Sequence, residues 1–175
     1  PQSKNASANA ILGSGGPSYK VPAEIHTDLF HKKGALGAAR DNNPEKASSA
    51  SQFYIVHGRT FTNAGLDSLQ ELRMKGVKFS AQQRQAYTSI GGTPHLDGNY
   101  TVFGEVIDGL TVVDSIAKVQ TNDKDRPSDD VRMQARLLTR REAINKERQI
   151  NGLKPKNGLF TRIGDLFKSK EYIIK

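Results

Sequence analysis

The sequence predicts a mostly β domain that carries a helical insertion and ends in a helical, basic C-terminal tail. Three observations lead there. Runs rich in β-branched and aromatic residues recur at 51–56 and 100–107, the residue types that suit a pleated surface. Between them, residues 59–92 switch to helical spacing. Charge is unevenly placed: residues 1–138 hold 16 Lys+Arg and 14 Asp+Glu, whereas residues 139–175 hold 10 and 4. The net charge of +8 is therefore mostly a property of the tail.

The elements follow in order. Residues 1–18 are rich in Ser, Asn, Ala and Gly and read as loop. The stretch 19–25 alternates weakly and contains Pro22, which predicts a short edge strand. Residues 34–39 are small and apolar, suited to a strand that another backbone approaches closely. After a polar loop, 51–56 reads as a buried strand. Leu66, Leu69 and Leu72 predict a helix stopped by Gly76, and Ser80 with Gln83 forms a capping-box pattern that opens a second helix. Gly91-Gly92 ends it. The strand over 100–107 turns at Asp108-Gly109 into a short helix with Leu110, Val113, Ile116 and Ala117 on one face. Val131, Met133, Ala135 and Leu137 alternate with polar residues and predict a last, half-buried strand. Residues 140–152 are charged and helix-prone, and Phe160, Ile163, Leu166 and Phe167 form a small apolar stripe. The expected division is a domain over 1–139, with its insertion at 59–92, and a basic extension over 140–175.

Composition narrows the chemistry. Cysteine is absent, which excludes disulfides, thiol catalysis, zinc–thiolate sites and iron–sulfur clusters, and leaves cell envelope and cytoplasm both open as compartments. No apolar run approaches the ~18 residues of a membrane span, so none is expected. The nearly balanced body offers no basic face for nucleic acid, and the tail reads as a solvated charged helix. Gly13-Ser14-Gly15-Gly16 lacks the Lys-Ser/Thr of a phosphate loop. His26, His31, His57 and His95 show no metal-ligand spacing, so neither a metal nor a cofactor is expected. No G-x-S-x-G elbow occurs.

Two segments add a resemblance. Gly34-Ala35-Leu36-Gly37-Ala38-Ala39, a polar loop and Ser51-Gln52-Phe53-Tyr54-Ile55 resemble the cyclophilin signature, in which a small-residue strand precedes S-Q-F-F-I. Leu96-Asp97-Gly98-Asn99-Tyr100-Thr101-Val102-Phe103-Gly104-Glu105-Val106 resembles the family's L-D-G-x-[HY]-x-V-F-G-x-V. Gly13 to Gly16, Tyr19 and Glu24 match the stretch after the family's Q-G-G-D. The resemblance covers about residues 11–138. It implies an antiparallel β-barrel capped by helices, incomplete in this chain, and a peptidyl-prolyl cis–trans isomerase that assists folding of proline-containing polypeptides. Such a catalyst lowers an amide rotation barrier of ~18–20 kcal/mol, which otherwise makes the step take ~10–100 s. It breaks no bond and needs no cofactor.

The same resemblance implies roles. Tyr54, in place of the usual Phe, and Leu96 hold the proline ring; Gln52 lies beside them and Phe53 faces the core. Ala39, Arg40 and Asp41 stand where an Ala-Asn-Ala segment pairs its backbone with an extended substrate. Tyr100 is at the pocket rim, and His95 is where many members have Trp. The family's F-H-R motif, with its catalytic arginine, does not occur in the 175 residues. The catalytic donor is thus unassigned, with Arg40 and Arg59 as the substitutes available. The resemblance further implies that the chain is a portion of a longer protein, its barrel completed by a missing N-terminal segment or a second chain. A non-catalytic peptide-binding module is the alternative function.

Overall fold

The computed structural model describes residues 6–7, 10, 12–13, 16–74 and 77–156. Ser14, Gly15, Gly76 and the apolar stripe at 160–167 lie outside the described residues. The chain divides into two compact units, Ile11–Ser128 and Asp129–Lys175 with Pro1–Ala10.

The first unit is built on a three-stranded antiparallel sheet made of β2 (Ala35–Ala38), β4 (Phe53–Ile55) and β5 (Val102–Glu105), with β2 in the middle. Gly37 pairs with Tyr54 on one side and Val102 on the other, and the register shifts between Leu36 and Gly37. A two-stranded sheet pairs β1 (Lys20–Val21) with β3 (Ser48–Ser49). It meets the larger one where the Ser49 N–H donates to the Ala39 carbonyl at 2.8 Å. The expected edge strand over 19–25 thus shortens to two residues. Pro22 cannot donate to a ladder, and beyond it the Glu24 N–H donates instead to Thr101 Oγ1 at 3.0 Å.

The insertion holds α1 (Asn63–Leu72) and α2 (Ala81–Ser89). The predicted capping box is present in both directions: Ser80 Oγ accepts from the Gln83 N–H, and Gln83 Oε1 accepts from the Ser80 N–H. Leu66 and Tyr87 are fully buried, and Phe30 and Phe79 pack with them. The three aromatic rings of Phe30, Phe61 and Phe79 meet Tyr87 edge-on at centroid distances of 5.6, 6.5 and 5.7 Å, the arrangement that ring quadrupoles favour. Leu72, predicted on the apolar face, is 82% exposed at the helix end. A 3₁₀ turn at Pro94–Leu96 leads back to β5, and α3 covers Leu110–Ile116. Lys33 pairs with Asp114 of α3 at 2.6 Å.

The described strands form two small antiparallel sheets and no closed barrel. Three expectations are corrected. Helices of 10, 9, 7 and 11 residues outweigh strands of 2, 4, 2, 3 and 4, so the fold is not mostly β. The 51–56 segment is not a buried strand: β4 is an edge, and Phe53 is 49% exposed instead of facing the core. Residues 131–137 are not among the described strands, and Met133 and Leu137 stand 81% and 74% exposed. Alternation alone does not make a strand without a partner whose amides it can pair with and a surface to bury against.

In the second unit, α4 spans Arg140–Ile150 as the charged run predicts. Thr139 and Glu142 cap it reciprocally. The Thr139 backbone N–H, the Arg136 guanidinium and the Thr139 hydroxyl pull the Glu142 carboxyl down to about 2.

Candidate active site

Gly37 explains how Tyr54 reaches the site. The Tyr54 ring lies across β2 at Gly37, where a Cβ would fall 2.3 Å from the ring's Cζ. The small-residue strand therefore makes room for a side chain, and not for a backbone as its composition suggested. Tyr54 Oη then reaches His31 Nε2 at 2.9 Å, with the two rings near-parallel at 6.1 Å.

His31 is 1% exposed and is held by Asp97. Asp97 Oδ1 accepts from the His31 N–H at 2.9 Å and lies 2.8 Å from Nδ1; Oδ2 accepts from Tyr87 Oη at 2.5 Å and Gln83 Nε2 at 3.3 Å. A carboxylate only accepts, so Nδ1 carries the proton toward Asp97. In the neutral ring Nε2 then accepts from the Tyr54 hydroxyl. The hydroxyl that distinguishes Tyr54 from the family's usual Phe is satisfied inward, which leaves the ring itself to line the site. Burial, followed by Tyr100 and Asp97, raises the Tyr54 pKa; burial and Asp97 do the same for Tyr87. Both phenols remain donors. The chain Tyr54–His31–Asp97–Tyr87 ties β4 to α2, so the insertion is coupled to the site and is not a self-contained appendage.

Gly92 makes the close approach possible. It bridges to both Lys32 and Arg59, and a Cβ there would lie 2.2 Å from the His31 carbonyl oxygen. Only a residue without a side chain lets the end of the insertion lie this near His31.

Tyr100 completes an aromatic wall. Its ring meets Tyr54 edge-on at 6.1 Å, and the Arg40 guanidinium sits 4.8 Å over its centroid. Arg40 Nε donates to the Asn99 carbonyl at 2.9 Å and Nη1 to the Asp41 carbonyl at 3.0 Å. Among the described residues, neither Nη2 nor the Arg40 backbone N–H and C=O has a hydrogen-bond partner. Its neighbours differ. The Ala39 N–H donates to the Gln52 carbonyl at 3.0 Å, and its own carbonyl is taken by Ser49. Asp41 pairs with Lys20 at 2.9 Å, and Lys20 and Asn43 hold its carboxyl below the usual range.

The remaining expected residues are spread wider. Gln52 donates to the Gly13 carbonyl at 2.8 Å. Leu96 is half-buried in the 3₁₀ turn, and His95 beside it is exposed, facing a separate cavity. Arg59 stacks 4.9 Å over Phe61 and pairs with Gly92, within the insertion and apart from Arg40. No group of three or more metal-ligating side chains occurs among the described residues, and no described helix is long and apolar enough to cross a membrane. His31 and Asp97 were not among the expected site residues. Asp97 stood within the L-D-G motif, but nothing in the sequence linked it to a histidine 66 positions earlier.

Tyr54, Tyr100 and Arg40 thus stand together beside a backbone segment whose amide is unpaired among the described residues. The family model for "Cyclophilin type peptidyl-prolyl cis-trans isomerase/CLD" matches residues 1–136, and the chain belongs to that family. A Streptococcus pyogenes protein whose name joins a phosphatase and a peptidyl-prolyl cis-trans isomerase is 36% identical over 124 residues, 68% of this chain and 24% of that protein. Peptidyl-prolyl cis-trans isomerase A of Mycobacterium tuberculosis is 32% identical over 121 residues, 68% of this chain and 47% of its own. A Staphylococcus aureus protein named as a peptidyl-prolyl cis-trans isomerase is 34% identical over 122 residues, with coverages of 68% and 58%. The chain thus spans from about a quarter to under three fifths of these relatives.

Proposed function

We propose that this chain supplies the substrate groove of a peptidyl-prolyl cis–trans isomerase acting on proline-containing polypeptides. The carrying observation is the Tyr54–Tyr100–Arg40 arrangement. The Arg40 backbone, with its N–H and C=O unpaired, adds to the extended substrate as a strand partner. The Tyr54 and Tyr100 rings hold the prolyl ring by apolar contact.

Rotation passes through a twisted amide whose nitrogen lone pair is no longer shared with the carbonyl. A donor aimed at that nitrogen binds the twisted state better than either planar one, and that difference is the catalysis. Arg40 Nη2 is the donor in this reading: two other nitrogens of the guanidinium are anchored on carbonyl oxygens, which holds the third in place without consuming it. Leu96, Gln52, Ala39 and Asp41 flank the groove in this proposal, while His95 lines the cavity next to it. The exposed apolar side chains on the sheet's other face support a covering element there, from another segment or a second chain. The division into a domain over 1–139 and a basic extension over 140–175 is part of the same proposal.

Prolyl exchange on a short Xaa–Pro peptide, followed by NMR, tests the reading. Catalytic amounts of the chain should raise the exchange rate, and Arg40→Ala should remove on the order of 10²-fold of that acceleration. An exchange rate that the chain leaves unchanged counts against the isomerase. Acceleration that survives Arg40→Ala removes Arg40 as donor.

A further inference from the structure

A cavity of about 710 Å³ opens between residues 25–30, residues 73–74 and 77–80, and the turn at 95–99. It lies apart from the Tyr54–Tyr100 wall, yet the two share one turn: Asn99 lines the cavity and its carbonyl anchors Arg40. Phe79 and Met74 supply apolar surface.

Its rim is cationic. Arg73 and Lys78 are exposed, and neither forms an ion pair among the described residues. Lys46 rests its Nζ on the Gly98 carbonyl at 2.6 Å, a neutral oxygen that leaves its charge uncompensated. Two carboxylates face these three cations. Asp97 is committed to His31, Tyr87 and Gln83, and Asp28 stands exposed at the edge. Partial desolvation in the cavity wall and the Arg73 charge push the His95 pKa below its ordinary value of 6.5, so near pH 7 its ring is an uncharged wall. Apolar lining beneath unpaired cations is complementary to an acidic residue next to an apolar one.

We propose that this cavity is a second subsite, which takes an acidic residue and its apolar neighbour from the same polypeptide whose Xaa–Pro bond lies against Tyr54 and Tyr100. The inference rests on the reading of the groove given above. It also gives the insertion a role, because Arg73, Met74, residues 77–80 and Gln83 of α2 then select prolines with an acidic flank.

The test compares three peptides of equal length around one Xaa–Pro core, with a Glu-Leu, Gln-Leu or Lys-Leu flank placed on either side. Each is titrated into the isotope-labelled chain. The Glu-Leu peptide should bind roughly fivefold tighter than the Gln-Leu one at low salt, the scale of two exposed ion pairs. The advantage should shrink at about 0.5 M salt through screening. Amides of Arg73, Lys78 and Gly98 should shift for the acidic peptide above all. Arg73→Glu with Lys78→Glu should reverse the preference toward Lys-Leu, and Arg73→Gln with Lys78→Gln should flatten it; both changes are at exposed positions.

Equal affinities for the three peptides, or shifts confined to other surfaces, overturn the subsite. Prolyl exchange in the same samples keeps the two readings apart. An acidic preference with no acceleration keeps the subsite and removes the isomerase. Acceleration with no preference removes the subsite alone.

Discussion

The insertion and the three-stranded sheet face the same problem, burying apolar side chains, and solve it to different degrees. In the insertion Leu66 and Tyr87 are fully buried, ringed by Phe30, Phe61 and Phe79. The sheet buries one face, with Ala35, Val56 and Val102 packed near Tyr54. Its other face leaves Phe53 and Phe103 at 49% and 56% exposure. The two helices, with Phe30 packed against them, make a small closed core, whereas a sheet has two faces and needs a layer on each. The site lies on the closed side, where Asp97 links β4's Tyr54 through His31 to α2's Tyr87.

The comparison can be broken most sharply at Tyr87. Tyr87→Ala removes the ring at the centre of the insertion and should cost about 3–5 kcal/mol. Tyr87→Phe, which leaves Asp97 with its other three donors, should cost only about 1 kcal/mol. Urea unfolding of both variants measures the difference; equal costs would show that the hydrogen bond, and not the aromatic cluster, holds this region.

A smaller effect is expected on the sheet. Phe53→Ser or Phe103→Ser should each cost about 1 kcal/mol or less in this chain, because the side chains are half in water already. A cost near that of Tyr87→Ala would mean that this face is packed, and the contrast between the regions would fall.

The smallest effect is a titration. Folding lowers the His95 pKa, so the folded state binds this proton less readily than the unfolded one. The associated stability is present above 6.5 and is lost as pH falls through the lower folded value. An NMR titration of the imidazole should place its midpoint below 6.5, and Arg73→Ala should move it upward. A midpoint indifferent to Arg73 would mean that burial and the other neighbours, without Arg73, set it.

What could be read in advance was local. The α2 start was legible because Ser80 and Gln83 are three residues apart and satisfy each other's amides. The α4 run was legible from its charged, helix-prone residues, whereas the reciprocal cap of Thr139 and Glu142 came from the structure. The residues 131–137 show the limit of such reading, since their alternation was real but met no described partner. Gly37 shows it too: a small residue in a strand signals a close approach without saying what approaches.

The sequence by itself determined the family, through two ordered motifs, and the caps, turns and helices whose partners lie within a few residues. Only the tertiary structure decided that the Tyr54 hydroxyl ends on His31, that Asp97 gathers four donors from three residues, and that Arg40 keeps a free nitrogen over Tyr100. These depend on contacts across 10 to 66 positions. A long-range contact follows from how sheets and helices stack, and no residue's own preference encodes its partner.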